Sequence, residues 1–113
     1  MKTLTSLLLL LGLSTLPALA APQTFHNVPV VDVNCSKKVA ADPDSHTRDC
    51  ALKCEASGFG IVTNDQKFLK FDAVGNKQIE AALKASSKAD HLRVDVSGDV
   101  EGDTLRVSSI QLL

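Results

Sequence analysis

In "VPVVDVNC", residues 28–35, Val31, Val33 and Cys35 fall on one face of an extended strand and Asp32 and Asn34 on the other. Cys35 is therefore expected to point inward. Val28 and Val30 lie in the opposite phase, and Pro29 cannot donate to a ladder, which predicts a bulge or an edge position near Pro29. The next stretch, "ADPDSHTRDCALKCEASG", carries helix punctuation: Asp42 as N-cap, Pro43 at the first position, Asp44 in the first turn and Gly58 past the end. It predicts a helix over 43–56. "GIVTNDQKFLKF" reads as two short strands around an Asn64-Asp65 turn. Asn76 can cap a second helix over 77–86, with Ile79, Ala82 and Leu83 on one apolar stripe. In "HLRVDVSGDVEGDTLRVSSIQL", Leu92, Val94 and Val96 alternate inward against His91, Arg93 and Asp95, and the chain turns at Glu101-Gly102-Asp103. The returning strand has Leu105 and Val107 in one phase and Ile110 and Leu112 in the other. A bulge near Ser108 reconciles them.

The order is strand, helix, strand, strand, helix, strand, strand. A helix between the third and fourth of five strands is the connectivity of an OB-type barrel, here with an extra cysteine-bearing helix in the first long loop. The expected class is mainly β with two helices, a small five-stranded OB-like barrel. Closure would remove the exposed strand edges that favour aggregation.

The first twenty residues, "MKTLTSLLLLLGLSTLPALA", place Lys2 before an apolar run and end on a small-residue pattern, Ala18 and Ala20, after Pro17. This is the layout of a cleavable secretory signal, and its apolar run is too short for the roughly 20 residues of a membrane span. The expected organisation is a signal peptide at 1–20 and one domain at 21–113, periplasmic or secreted, starting at Ala21 and not inserted in a membrane. With Lys2 removed, 11 basic side chains face the 13 acidic ones. Such a surface has no electrostatic reason to bind nucleic acid, and the absence of Trp and Tyr leaves little surface for stacking bases.

"VVDVNC", "DCALKCEASG" and the ending "VSGDVEGDTLRVSSIQL" together resemble a family of small, exported, largely uncharacterised bacterial domains. These share an Asp-x-x-Cys segment, an Asp-Cys-x-x-x-Cys-x-x-x-Gly helix and Gly-Asp-Thr before the last strand. The matching positions are Asp32 and Cys35, then Asp49, Cys50, Cys54 and Gly58, then Gly102, Asp103 and Thr104. Such domains often carry a His soon after the first cysteine, where this chain has "SKKVA"; were that His a ligand, His46 would have to replace it. The resemblance implies export and an OB-like fold, and no settled activity.

Three cysteines carry the candidate chemistry. Cβ atoms four residues apart on a helix are about 5–6 Å apart, whereas a disulfide wants about 3.5–4.5 Å. Cys50 and Cys54 are poor partners on a regular helix, so the expected bridge is Cys35 to Cys54, with Cys35 to Cys50 as the alternative. In an oxidising compartment, closing a loop of roughly 15–20 residues contributes about 3 kcal/mol. The rival is a soft-metal site for zinc or cuprous copper built from Cys35, Cys50, Cys54 and His46. On one continuous helix His46 would lie roughly 12 Å from Cys54, so that site requires the helix to begin later, with Asp49 as a candidate cap. A third reading is thiol redox chemistry by the odd cysteine, although there is no Cys-x-x-Cys.

His26 and His91 read as solvated side chains, Asp49 as a favourable charge in the N-terminal half of its helix, and Asp32 and Asp95 as scattered carboxylates. No nucleophile elbow, phosphate loop or paired-carboxylate motif stands out. The expectation is an exported, non-enzymatic binding or interaction module with no cofactor, for an unidentified protein or small-molecule partner. The alternative is a metal or thiol-redox protein using the cysteine cluster directly.

Overall fold

A computed structural model describes residues 22–113. The expected signal segment and the cut before Ala21 lie outside them. Strands β1 (Gln23–Asp32), β2 (Phe59–Val62), β3 (Phe68–Phe71), β4 (Arg93–Glu101) and β5 (Thr104–Leu112) form a closed barrel in the order β1-β2-β3-β5-β4. Neighbours are antiparallel except β3 and β5, which run parallel with Lys70 opposite Thr104 and Phe71 opposite Leu105. The barrel closes where β1 meets β4. This is the expected five-stranded OB-like architecture.

Three helices are present among the described residues: α1 (Ser36–Val39), α2 (Arg48–Lys53) and α3 (Ala73–Ala85). The first two lie in the loop from β1 to β2. Helix α3 joins β3 to β4 and sends Ile79 and Leu83 into a core formed by Val28, Val30, Ile61, Val94, Val96 and Leu105, among others. Each fully buried aliphatic side chain of this kind stabilises the fold by about 1.5–3 kcal/mol. The first loop and α3 both attach at the end of the barrel where β1 and β3 finish and β2 and β4 start. The β2–β3 and β4–β5 turns form the opposite end.

Several expectations change. Strand β1 has the other phase: Val28 and Val30 enter the core, and Asp32 follows them inward with no exposure at all. Val31 is also fully buried but stands outside the core cluster, on the face of β1 that the first loop packs against. With both faces covered, the apolar residues of "VPVV" did not reveal which side was the core. The bulge of β1 falls near Pro29, as expected, between Phe25 and Val28, where Asn27 takes the left-handed backbone (φ 50°) and its N–H donates to Asp95 Oδ1 at 2.8 Å. Asn tolerates that region better than most residues. The bulge of β5 is where the pattern placed it. Ser97 faces Ser109 and Gly98 faces Val107, which leaves Ser108 unpaired, with its hydroxyl donating to the Ser97 carbonyl at 3.1 Å.

The helix expected over 43–56 is three short pieces: a 3-10 turn at Pro43–Ser45, α2, and a second 3-10 turn at Glu55–Ser57. Asp42 makes no side-chain cap, and Asp49 is not the cap either; Thr47 is, its hydroxyl accepting from the Cys50 N–H at 3.2 Å. His46 and Thr47 are extended (ψ 125° and 155°), which separates the first turn from α2. Likewise α3 starts earlier than residue 77. Asp72 caps it by accepting from Gly75 N, and Asn76 instead accepts from the Phe59 N–H at 2.8 Å. At Gly75 α3 approaches the barrel closely: a Cβ there would lie 2.4 Å from Val107 Cγ2.

Candidate functional site

Strand β1 delivers Asp32 to the barrel end beside the first loop, in register with Phe59 of β2. The chain then turns through Val33 and Asn34, and Asp32 Oδ2 accepts the Cys35 N–H at 2.9 Å, so the carboxylate organises the turn that leads into α1. His46 reaches the other carboxylate oxygen, with Nε2 2.5 Å from Asp32 Oδ1. The His46 side chain is 6% exposed and that of Asp32 0%. A buried carboxylate is costly unless paired and hydrogen-bonded. Here both oxygens have partners, and among the described residues no buried side-chain nitrogen or oxygen lacks one.

Cys35 completes the cluster. One ligand atom from each of Asp32, Cys35 and His46 lies within 4.8 Å of the others. Burial pushes the Cys35 thiol above its usual range, and the Asp32 carboxylate, by charge and as hydrogen-bond acceptor, and the neighbouring Cys54 push it further. Cys54 ends α2 with φ −102° and ψ 19°, and its sulfur accepts from Asn34 Nδ2 at 3.6 Å. All three cysteines are thiols in the structure.

Of the residues singled out as metal or disulfide candidates, Cys35 and His46 are brought together and Cys54 lies against Cys35. Cys50 is exposed on the first turn of α2 and is not among the three clustered residues. The break between Ser45 and Arg48 lets His46 fold back while Cys54 stays on the far end of α2. Asp32 is the residue that sequence reasoning missed as a candidate. Its signal was present, an Asp three residues before a Cys, a spacing at which a carboxylate can hold a turn N–H. The wrong strand phase hid it.

The remaining candidates stay apart from the cluster. Asp49 is exposed. His26 is exposed near Asp95, Nδ1 to Oδ1 3.7 Å, and His91 pairs with Asp90 at 2.8 Å on the surface. At the opposite end of the barrel, Phe25, Leu69 and Val100 with Thr63, Asp65 and Lys67 line a cavity of about 250 Å³.

A thiol held protonated beside a carboxylate is a poor nucleophile, since the thiolate is the reactive form. The imidazole nitrogen that would serve as a base is engaged with Asp32. What the arrangement offers is a well-held set of one oxygen, one nitrogen and one sulfur donor, with a second thiol next to the first. No protein-family model, curated protein or solved structure matches the chain.

Proposed function

We propose that the protein is an exported, non-enzymatic binding module of the OB type whose first loop is stapled to the barrel by a Cys35–Cys54 disulfide. The observation that carries this reading is the inward-turned chemistry of the cluster. Asp32 and His46 satisfy each other, the Cys35 thiol is disfavoured from ionising, and Cys54 is the thiol beside it. Export rests on the amino-terminal signal pattern and agrees with the resemblance to small exported bacterial domains. Binding would use the barrel end away from the cysteines, where apolar Phe25 and Leu69 are flanked by Lys67 and Asp65. At about 250 Å³ the cavity is below the usual range for small-molecule sites of roughly 300–1,000 Å³ and suits one or two side chains of a protein partner.

The test is peptide mapping of exported, unreduced protein, with thiol counting after denaturation. The expected result is an amino terminus at Ala21, a linked Cys35–Cys54 peptide and one free thiol per chain, that of Cys50. Met1 retained, three free thiols, or Cys50 in the bridge would each overturn the reading.

A further inference from the structure

We propose that the reduced protein holds a zinc ion with Asp32, Cys35 and His46, and that the Cys35–Cys54 bridge removes this site. The three donors come from the end of β1, the turn that follows it and the segment before α2, and they converge in one cluster in which Asp32 and His46 are buried and Cys35 is half-buried. Zinc bonds of about 2.0–2.3 Å put tetrahedral ligand atoms roughly 3.2–3.8 Å apart. The cluster is compatible with that spacing. Asp32 and His46 are closer, at 2.5 Å, and no pair of the chosen donor atoms exceeds 4.8 Å. An ion would spread the carboxylate from the imidazole by about an ångström at the side-chain tips.

Charge favours the same assignment. A carboxylate, a thiolate and a neutral imidazole around a divalent cation sum to zero, the balance a buried site requires. The balance of protons is simple. Cys35 gives its S–H proton to solvent as the zinc–sulfur bond forms, and His46 binds through the Nε2 lone pair, any proton on that nitrogen leaving to Nδ1 or to solvent. The mixed oxygen, nitrogen and sulfur set points to zinc rather than cuprous copper, which prefers soft sulfur donors and gains little from a carboxylate. Asp32 thus stands where the sequence had suggested Cys50.

The gating half of the proposal rests on the disulfide reading. A sulfur bridged to Cys54 is no longer a thiolate ligand. The bridge forms by exchange with a small-molecule disulfide: Cys35 and Cys54 lose two protons and two electrons, and the small disulfide becomes two thiols.

The experiment uses cobalt(II) as a coloured stand-in for zinc, with two proteins: the mature wild-type chain, and a Cys50→Ser, Cys54→Ser variant in which Cys35 is the only thiol. In that variant equimolar cobalt should give a thiolate-to-cobalt charge-transfer band without reductant, displaced by zinc. Adding Asp32→Asn, which keeps the size of the side chain, should weaken binding by about tenfold or more, as loss of even a supporting ligand contact does. The wild type should show the band only after reduction. No band in the single-thiol variant, or a band indifferent to Asp32→Asn, overturns the metal site whatever the disulfide does. Wild-type protein that binds cobalt without reductant, and that maps with three free thiols, overturns the disulfide reading and the gating while the metal site stands.

Discussion

At the scale of single residues, the Asp32–His46 pair is the most consequential contact in the first loop. Two buried polar side chains on segments 14 positions apart satisfy one another, and the second carboxylate oxygen is taken by the Cys35 N–H. Removing one member of such a pair leaves the other buried without compensation, which costs about 3–5 kcal/mol, well above the worth of an exposed ion pair. His46→Ala should therefore lower unfolding free energy by about 3 kcal/mol in urea titration. A loss under 1 kcal/mol would mean that Asp32 finds water or another donor when the imidazole is gone.

At the scale of elements, two joints position the site: the break that divides the first loop, and the seat of α3 on β5. Thr47 starts α2 late enough to leave His46 extended, and Arg48 ties that start to the end of α3 by donating to the carbonyls of Leu83 and Ser86 at 3.3 and 2.9 Å. Helix α3 can lie against β5 because Gly75 has no side chain. Gly75→Ala places a methyl group 2.4 Å from Val107 Cγ2, and overpacking of this kind costs about 1–3 kcal/mol despite the better helix propensity of alanine. Adding Val107→Ala should recover part of that loss in thermal unfolding. Additive costs would place the strain elsewhere, for instance against Phe71, whose Cβ is 3.0 Å from the same point.

At the scale of the whole molecule, stability depends on tying a long loop to a small barrel. One tie is ionic. Arg93 at the start of β4 donates from Nε and Nη2 to the two Asp44 oxygens at 2.9 and 2.8 Å and from Nη1 to the Asn27 carbonyl at 2.6 Å. The hydrogen bonds from Arg93 hold the Asp44 carboxyl below its usual value. A depressed carboxyl stabilises the fold above the unfolded pKa of about 3.9, and that contribution fades as pH falls through the lower folded value. Asp44→Asn should thus cost about 1 kcal/mol at pH 7 and progressively less toward pH 2. An equal deficit at both ends of a pH series of urea titrations would assign the loss to packing. The second tie is the proposed disulfide. Cys35→Ala should cost about 2–5 kcal/mol without reductant, and most of the difference from wild type should vanish when both are reduced.

The local pattern was enough for the strand count, the connectivity, the turns at Asn64-Asp65 and Gly102, and the bulge at Ser108. Each of these follows from side-chain alternation and turn chemistry within a few neighbouring residues. The inward faces of β4 and most of the apolar stripe of α3 were legible for the same reason, since one face of each meets the core. Where an element is covered on both sides, as at the end of β1, periodicity loses its meaning, and the phase that buries Asp32 came only from the tertiary structure. Contacts distant in sequence also chose among competing caps: Asp72 over Asn76 at α3, and Thr47 over Asp42 before α2, the second because His46 is drawn back to Asp32. Spacing along the chain singled out Cys35, Cys54 and His46. Only folding added Asp32 to them and left Cys50 in solvent, because convergence depends on where the loop backbone bends.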